Sequence, residues 1–513
     1  LFSNKLVLDT LLSEINSIKE KRFKEAEESL RIAIKLKGNG PDARNNIGIA
    51  LRELGCLGES EEQLLHALSL KPKFAEAHLN LGITLQQQMR YLDAEKSMRR
   101  ALEIKPNFVK AYNNLALNLE AQNRYIEAEH YLEQALQLSP NFAQAHTNLG
   151  LVLLDQGKLN EAEKSLRRAL ELTPDAPVAY SNLLFSSNYH PDKSAEEIFA
   201  SYQAFNAHLC LPHHAAWRPH TNSRETNRKL KIGYVSPDFN MHPVRHLLDP
   251  LLQNHDKNAF EVFAYAELRH EDAQTTRYKS LVNHWVNTTA LTDVELADRI
   301  RADGIDILID IAGHSANNRL GAFAFKPAPV SASWLGYGYT TGMTAIDYYM
   351  ADENLLPIGS EHLFSEKPWR LPTPGYAFRP AEGMGSISPL PALENGFITF
   401  ATLSRAIRIN HRTIGVWAAI LKRFKNAKLI INSRNYQTAA AQDQMALKFA
   451  EHGIERTQLD IGFESPPWDL MRKTDICLDC FPHNSGTTLA EHLYMGIPYI
   501  TLADRPSVGL IGG

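Results

Sequence analysis

The pattern of hydrophobic and polar positions changes near residue 230 of this 513-residue chain. Before that point, apolar residues recur with helical spacing, and this pattern predicts pairs of amphipathic helices. After it, apolar residues form short runs rich in Ile, Val and Tyr, which predict buried β-strands. The chain is therefore predicted to contain a helical part followed by an α/β part.

The helical part repeats itself with a period of 34 residues. Prolines, asparagines and small residues all keep this step: Pro72, Pro106, Pro140 and Pro174; Asn46, Asn80, Asn114, Asn148 and Asn182; Ala26, Ser60, Ala94, Ala128 and Ala162. Each unit predicts two helices, the second ended by the proline, and Gly38 takes the place of that proline in a degenerate first unit. The units resemble tetratricopeptide repeats. About five of them fill residues 5–174, and a terminal helix pair reaches roughly residue 208.

Stacked repeats of this kind form a superhelix whose concave side usually holds an extended peptide or a partner protein. The five recurring asparagines are predicted to form a ladder there, because a side-chain amide donates to and accepts from any peptide backbone. The alternative is that these amides bond only to neighbouring helices. Protein or peptide acceptors are the expected partners of the repeats, and self-association of the chain through them is kept as a further alternative.

The α/β part divides into two blocks of predicted strands. The first block contains Leu230–Ser236, Phe260–Tyr265, Ile305–Asp310, Pro329–Trp334 and Asp347–Ala351, and the second contains Gly396–Ala401, Ala427–Asn432, Gln458–Gly462, Asp475–Asp479 and Pro498–Leu502. The stretch 373–394 between them is rich in Pro and Gly and predicts a hinge. Strands alternating with helices predict two doubly wound domains that face a cleft, where ligands bind at the carboxyl ends of the strands.

Polar turns follow several of these strands. The first strand runs into a turn that ends at His242, and another runs into a glycine-rich loop at 334–342 that allows a ligand close to the backbone. In the second block, Gly486-Thr487-Thr488 opens a helix and offers N–H groups, hydroxyls and the helix dipole to a phosphate. Neither the dinucleotide fingerprint nor the P-loop is present in the sequence.

Together with the repeats, a set of motifs resembles the protein O-GlcNAc transferase family, which includes the plant SPINDLY-type O-fucosyltransferases. The motifs are His242-Pro243-Val244, Gly313-His314, Lys326-Pro327-Ala328-Pro329-Val330, Trp334-Leu335-Gly336-Tyr337 and Gly486-Thr487-Thr488. The resemblance implies a two-lobed GT-B fold, a nucleotide-sugar donor in the interlobe cleft, inversion at the sugar, no cofactor and no catalytic metal. Two runs, Gly313-His314-Ser315 and Glu491–Gly496, favour the bacterial and SPINDLY-like branch.

The resemblance also assigns roles to single residues. His242 and Arg408 are the candidate catalytic residues, of which His242 orients the acceptor or the donor phosphate. His314 and Arg319 fall in the corresponding cleft loop. The candidate donor-binding residues are Leu335, Gly336, Arg405, Trp468, Gly486, Thr487, Thr488 and Glu491. Within this set the two threonines match phosphate-binding hydroxyls, and Glu491 matches the acidic residue on the ribose.

The sequence departs from the family pattern at two positions. Arg408 stands where the family usually has a lysine on the donor phosphate; its fork suits phosphate oxygens, but it does not substitute conservatively for a point charge. The histidine that stacks on the nucleobase has no clean match near Trp468, which is predicted to stack in its place. The base and the sugar of the donor therefore stay open between UDP-GlcNAc and GDP-fucose.

Composition and charge narrow the function classes further. Apolar residues make up 44% of the chain and charged residues 22%, an ordinary composition for a soluble folded protein. Lys and Arg number 54 against 58 Asp and Glu, so no global basic field recruits nucleic acid or an anionic membrane. The four cysteines do not form a disulfide framework in a chain this long, and this predicts a reducing cytoplasm.

These observations predict a tetratricopeptide superhelix at 1–185, a helical linker at 186–228, and catalytic lobes at 229–385 and 386–513. The second lobe is expected to bind the nucleotide and, as in the family, to continue beyond Gly513. The expected function is an inverting protein O-glycosyltransferase that transfers GlcNAc from UDP-GlcNAc to Ser or Thr of proteins. The alternatives are a GDP-fucose-dependent O-fucosyltransferase, or a repeat scaffold with a catalytically weak nucleotide-binding half.

Overall fold

The computed structural model describes residues 40–225, 227–372 and 374–512. The chain forms two compact units, of which the first ends at Val152 and the second begins at Leu153. The predicted first repeat, with Ala26 and Gly38, lies outside the described residues.

The first unit contains a succession of helices that pack in antiparallel pairs. They are α1 (Pro41–Glu53), α2 (Leu57–Leu70), α3 (Ala75–Gln87), α4 (Tyr91–Ile104), α5 (Val109–Ala121), α6 (Tyr125–Leu138) and α7 (Ala143–Asp155), which contains the boundary between the units. Pro72, Pro106 and Pro140 each follow the second helix of a pair, as predicted. Small residues lie where helices cross: a Cβ at Gly82 would approach Met98 Cγ to 2.6 Å.

Two of the recurring asparagines hold neighbouring repeats together. Asn80 Nδ2 on α3 donates to Asn45 Oδ1 on α1 at 2.9 Å, and Asn148 Nδ2 on α7 donates to Asn113 Oδ1 on α5 at 2.8 Å. In both pairs the acceptor is an extra asparagine one residue before a ladder position. At these two positions the recurring asparagine therefore bonds to a neighbouring helix, which is the alternative to peptide binding.

The other described asparagines behave differently. Asn114 donates to the carbonyl of Lys110 within its own helix at 2.7 Å, and Asn46 Oδ1 lies 3.3 Å from the Nδ2 of the adjacent Asn45. In the second unit, Asn182 has a buried amide nitrogen with no hydrogen-bond partner among the described residues. A continuous peptide-binding ladder stays a prediction.

The second unit begins with three helices that pack against the first α/β lobe. They are α8 (Leu159–Leu172), α9 (Pro177–Ser187) and α10 (Ala195–Leu209), so the predicted terminal helix pair is present. After α9, Asn188 Nδ2 donates to the hydroxyls of Tyr202 and Tyr337, each at 2.9 Å. Buried side chains of α9, α10 and the lobe form one continuous hydrophobic cluster.

The first lobe is a seven-stranded parallel sheet in the order β3-β2-β1-β4-β5-β6-β7. Its strands are β1 (Leu230–Ser236), β2 (Phe260–Ala266), β3 (His284–Asn287), β4 (Ile307–Asp310), β5 (Val330–Ser333), β6 (Tyr348–Asp352) and β7 (Lys367–Leu371). The connecting helices are α11 (Arg245–Gln253), α12 (Ala273–Leu281), α13 (Asp293–Asp303) and α14 (Leu320–Phe323). The edge strands β3 and β7 were not among the predicted strands.

The second lobe is a five-stranded parallel sheet in the order β10-β9-β8-β11-β12. Its strands are β8 (Thr399–Thr402), β9 (Lys428–Asn432), β10 (Leu459–Gly462), β11 (Ile476–Leu478) and β12 (Tyr499–Ile500). Its helices are α15 (Pro391–Asn395), α16 (His411–Arg423), α17 (Ala439–Ala450), α18 (Trp468–Met471) and α19 (Thr487–Tyr494). Helical repeats followed by two doubly wound lobes confirm the predicted fold class.

Candidate functional site

The turn after β1 presents His242 at the carboxyl end of the first sheet. The turn is fixed at both ends, because Asp238 N donates to Ser236 Oγ at 3.0 Å and Met241 N donates to Asp272 Oδ2 at 2.7 Å. His242 Nδ1 accepts from the Val244 N–H at 3.3 Å, and its side chain is 45% exposed. With Nδ1 used as an acceptor, Nε2 carries the proton of the neutral ring and is the atom that can donate.

Burial and two neighbouring positive charges keep His242 neutral. Burial, followed by the positive charges of Arg245 and Arg405, lowers the pKa of His242 to about 4. The nearest carboxylate oxygen, Asp238 Oδ2, lies 3.7 Å from Nδ1, and burial together with the charge of Asp310 raises the pKa of Asp238 to about 7. At neutral pH, His242 is therefore a hydrogen-bonding group rather than a cation.

The raised pKa of Asp238 predicts a specific dependence of stability on pH. Between about pH 4 and pH 7 the folded protein keeps a proton on Asp238 that the unfolded chain releases, so this group lowers the free energy of unfolding as pH rises. The ceiling of the effect is about 4 kcal/mol. We expect Asp238→Asn to raise the free energy of unfolding more at pH 8 than at pH 5, measured by urea denaturation. Asp460→Asn, at an exposed aspartate, is the control, and equal effects of Asp238→Asn at the two pH values would contradict the prediction.

The glycine-rich loop after β5 brings backbone close to the end of β4. Leu335 has a φ of 67°, in the left-handed region that side chains rarely adopt, and the next residue is Gly336. A Cβ at Gly336 would lie 1.7 Å from the carbonyl oxygen of Ile311, so the loop passes this strand end at a distance that only glycine allows. Both residues are partly exposed and leave their backbone accessible at the sheet edge, as the donor-sugar assignment requires.

At the corresponding edge of the second sheet, α19 begins at Gly486-Thr487-Thr488. Ser485 precedes the helix; its N–H donates to Asp479 Oδ1 at 3.0 Å, and its hydroxyl lies 3.2 Å from that of Ser404. The two threonines are partly exposed at the first turn of the helix. Their hydroxyls and the first N–H groups of α19 can bind an anion there.

Arg408 lies beside this helix start. Its positive charge acts on Asp479 and His483, the residues that flank the loop leading into α19. The guanidinium carbon lies 5.7 Å from the ring centroid of Tyr189, which follows α9, and that ring stacks on His483 at 4.3 Å with an interplanar angle of 8°. Within the described part of the chain, no carboxylate lies at ion-pair distance from Arg408, so its charge is available to a ligand.

We expect Tyr189 to matter for function through the position of Arg408. Tyr189→Leu removes the ring that holds the guanidinium, and we expect turnover of the donor to fall about tenfold. Tyr189→Phe keeps the ring and should stay close to the unchanged protein, which makes it the matched control. Steady-state kinetics with both variants test this, and an equal loss in the phenylalanine variant would show that the ring face is not what matters.

The two lobes approach each other next to these residues. Glu491 Oε1 on α19 lies 3.7 Å from His246 Nε2 on α11, and burial raises the pKa of Glu491. Arg405, whose charge reaches His242, pairs with Asp155 Oδ1 at 3.0 Å. The structure thus gathers His242, Arg405 and Glu491 at the junction of the lobes, with Arg408 and the threonines on the same edge of the second sheet.

His314, which was assigned to the cleft loop, has a buried side chain in the structure. The side chain is 1% exposed, its Nε2 lies 2.8 Å from the carbonyl of Thr341, and its Nδ1 lies 3.2 Å from Ser181 Oγ on α9. Its ring also contacts the rings of Tyr202 and Tyr337. His314 thus joins α9 to the loop that follows β5, and a role in ligand binding stays a prediction.

Arg319, assigned to the same cleft loop, makes several contacts with other elements of the first lobe. Its guanidinium pairs with Glu267 Oε2 at 2.6 Å and Asp293 Oδ1 at 2.8 Å, and it donates to the carbonyls of Thr288 and Leu291. The side chain is 9% exposed. Because its guanidinium donates to these partners, Arg319 stabilises the ends of β2 and β3 and the start of α13.

Trp468 packs in a hydrophobic cluster of the second lobe and against the interlobe segment. A Cβ at Gly383 would lie 2.9 Å from the Trp468 ring, and the ring borders the cluster that contains Met384 and Met471. Met384, which belongs to the segment predicted as a hinge, is 1% exposed. Stacking of Trp468 on a nucleobase stays a prediction.

Metal-ligating groups and membrane-spanning segments were also sought in the described residues. No group of three or more His, Cys, Asp or Glu side chains there could hold a metal ion. In the same residues, no helix is both long enough and apolar enough to cross a membrane. Cys477 and Cys480 are buried in different hydrophobic clusters.

Two parallel sheets with polar groups gathered at their carboxyl ends define a two-lobed, doubly wound class of α/β protein, in which ligands bind at that edge of the sheets. The family model of glycosyl transferase family 41 matches residues 197–375, and models of the tetratricopeptide repeat match residues 75–108 and 113–177. The structure is similar to that of a mutant Thermobaculum terrenum O-GlcNAc transferase, with a TM-score of 0.79 and 31% identity over 85% of this chain and 84% of that one. The chain belongs to glycosyl transferase family 41, as its resemblance to the O-GlcNAc transferases predicts.

Two Arabidopsis thaliana proteins are also similar. A probable UDP-N-acetylglucosamine–peptide N-acetylglucosaminyltransferase, SPINDLY, is 31% identical over 330 residues, which are 62% of this chain and 36% of that protein. A second one, SEC, is 30% identical over 287 residues, or 54% of this chain and 29% of that protein. The matched part of the chain thus spans about a third of the length of these curated relatives, 36% of the first and 29% of the second.

The structure also adds residues that the sequence did not single out. Tyr189 lies in the predicted helical linker, where no motif marks it, and His483 lies three residues before the Gly486-Thr487-Thr488 motif. Arg245 and His246 directly follow the His242-Pro243-Val244 motif, and their charge and position at the start of α11 were the signal available.

Proposed function

We propose that this protein is an inverting protein O-glycosyltransferase that transfers GlcNAc from UDP-GlcNAc to Ser or Thr of protein acceptors. Family membership supports transfer of a sugar. The observation that carries the proposal is the placement of Arg408 near the start of α19, with no carboxylate at ion-pair distance among the described residues. A cation and a helix N-terminus at one sheet edge suit a departing diphosphate.

In the proposed reaction, the hydroxyl oxygen of the acceptor forms a bond to the anomeric carbon from the face opposite the diphosphate. The bond from that carbon to the diphosphate oxygen breaks, the diphosphate leaves with the electron pair, and the hydroxyl releases its proton. Negative charge builds on the diphosphate, and its stabilisation by Arg408, Thr487, Thr488 and the N–H groups of α19 is the main catalytic contribution.

The remaining site residues orient the substrates. The neutral ring of His242 donates from Nε2 to the acceptor or to a donor phosphate oxygen, and we do not assign it the role of base. Backbone at Leu335 and Gly336 lines the donor sugar, and Glu491 accepts hydrogen bonds from the ribose. No metal takes part in this scheme, and the donor is a substrate rather than a cofactor.

Transfer of label tests this proposal. Purified protein is incubated with a lysate and either radiolabelled UDP-GlcNAc or radiolabelled GDP-fucose, and protein-bound label is counted. Label from UDP-GlcNAc that disappears in Arg408→Ala supports the proposal. Label only from GDP-fucose would assign the O-fucosyltransferase alternative, and nucleotide binding without label would assign the scaffold alternative, which the Arg408 substitution itself favours.

The choice of nucleobase has its own measurement. A pocket that pairs its polar groups with uracil leaves them unpaired with guanine, so it discriminates between the bases strongly. We expect calorimetric titrations to give clearly different dissociation constants for UDP and GDP, with UDP binding more tightly. Comparable affinities would show that the site does not select the base.

Acceptor proteins are proposed to bind through the repeats, and the cytoplasm is the proposed location because the cysteines form no disulfide framework in the sequence. Among the described residues, the amides of the ladder positions Asn46 and Asn114 have no bond to another helix, so these two are the proposed peptide contacts in the first unit.

A further inference from the structure

A cavity of about 370 Å³ lies between α11, α12 and the segment that connects the lobes. Its polar lining is Arg245, His246, Asp249, Gln274, Arg277 and Arg379, with residues 380–382 along one side. Three guanidinium groups thus face one cavity, against the carboxylates of Asp249 and the exposed Glu382.

The buried carboxylate fixes two of these arginines. Asp249 is 4% exposed; its Oδ1 accepts from Arg277 Nε at 2.5 Å, its Oδ2 accepts from Arg277 Nη2 at 3.0 Å, and Arg379 Nη1 also donates to Oδ2. Gln253 Oε1 accepts from the same Nη2 and Nη1 groups at 3.1 and 2.7 Å. These bonds hold the pKa of Asp249 below its ordinary value, so it stays ionised.

Several N–H groups of Arg277 and Arg379 take no part in these bonds. Among the described residues, no partner takes the N–H groups of Arg277 Nη1 or those of Arg379 Nε and Nη2, because the hydrogen bonds to Asp249 and Gln253 use the other nitrogens. Arg245 donates from Nη1 to the carbonyl of Met241 at 3.2 Å, and no carboxylate of the described residues lies at ion-pair distance from it. The cavity therefore has an uncompensated cation and several oriented donors.

We propose that this cavity binds the phosphate group of a small phosphorylated molecule, at a site separate from the diphosphate site beside Arg408. Guanidinium forks match the oxygens of phosphate in pairs, and a preorganised cluster loses little entropy on binding. The limited volume of this partly open cavity favours a small molecule over a polymer. The inference does not depend on the proposed transferase activity, because it rests on the cavity alone.

The site also has a route to the rest of the cleft. His246 lines the cavity and lies 3.7 Å from Glu491, and the charge of Arg245 acts on His242, His246 and Glu491. An anion that neutralises Arg245 changes the potential at all three side chains. The bound phosphate would therefore modulate ligand binding in the cleft.

Calorimetric titration of inorganic pyrophosphate into the purified protein tests the proposal. We expect binding that Arg245→Gln weakens about tenfold or more, the loss expected for one charge-assisted contact. Arg245 has no ion pair to lose, so this variant should fold, and a thermal melt checks it. Arg299→Gln, at a half-exposed arginine on α13 that pairs with Asp303, is the matched control and should bind normally.

Further arms separate this cavity from the diphosphate site. Arg408→Gln and saturation with UDP should both leave the Arg245-dependent binding intact. Absence of pyrophosphate binding would overturn the proposal, as would binding that depends on Arg408 and not on Arg245, or that UDP abolishes. Acetate binding as tight as that of pyrophosphate would overturn the assignment to phosphate.

Discussion

Arg408→Ala is expected to reduce turnover by about 100-fold or more while the affinity for the donor nucleotide changes much less. The reason is that the charge on the diphosphate grows as the sugar bond breaks, so a cation next to it contributes more in the transition state than in the ground state. Steady-state kinetics give turnover, and calorimetry gives the dissociation constant of the nucleotide.

The control for this substitution is Arg423→Ala, at an exposed arginine in the last turn of α16, which should leave both quantities unchanged. Equal losses in turnover and in nucleotide affinity would contradict a leaving-group role for Arg408. Arg408→Lys is informative as well, because it restores the charge without the planar group that faces Tyr189.

Gly336→Ala is expected to lower the free energy of unfolding by about 3 kcal/mol and to abolish detectable transfer. The new Cβ would meet the backbone carbonyl of Ile311 at 1.7 Å, and a strand end cannot move aside as a flexible side chain can. Urea denaturation measures the stability, and binding of the labelled donor measures the site.

Gly338→Ala, in the same loop, is the matched control. A Cβ there meets only the side-chain methyls of Ile511 and Val508, at 3.2 and 3.4 Å, which can shift by a few tenths of an ångström. A loss of stability as large as that of Gly336→Ala would show that the loop resists any side chain, whatever its distance from the β4 end.

The fold was predictable because its signals are periodic. The 34-residue step and the runs of β-branched residues indicate where helices and strands lie. The structure has β1 with the predicted bounds. The two strands that the sequence pattern did not predict lie at the edges of the seven-stranded sheet. His284–Asn287 has one buried residue, and Lys367–Leu371 contains a proline and has no fully buried residue. Neither forms the apolar run by which a central strand is identified.

The site was predictable only in part, because sequence order does not state which way a side chain points. His314 and His242 both follow strands in polar turns, yet His314 turns inward to Ser181, 133 residues away along the chain. Arg319 finds its carboxylates on two other elements. Such pairings depend on how distant segments meet, and a single sequence carries no local signal for them.

The segment after α9 is bound to the second lobe by more than the ring of Tyr189. Arg505 donates to the carbonyls of Asn188, His190 and Lys193 at 2.7–2.9 Å. A recombinant version trimmed to begin at the first strand would leave that guanidinium without acceptors and expose the face of His483. For expression and crystallisation, the smallest stable fragment should therefore begin ahead of α9. Without the helices, the two-sheet region would lose the backbone carbonyls that Arg505 binds and the ring that covers His483.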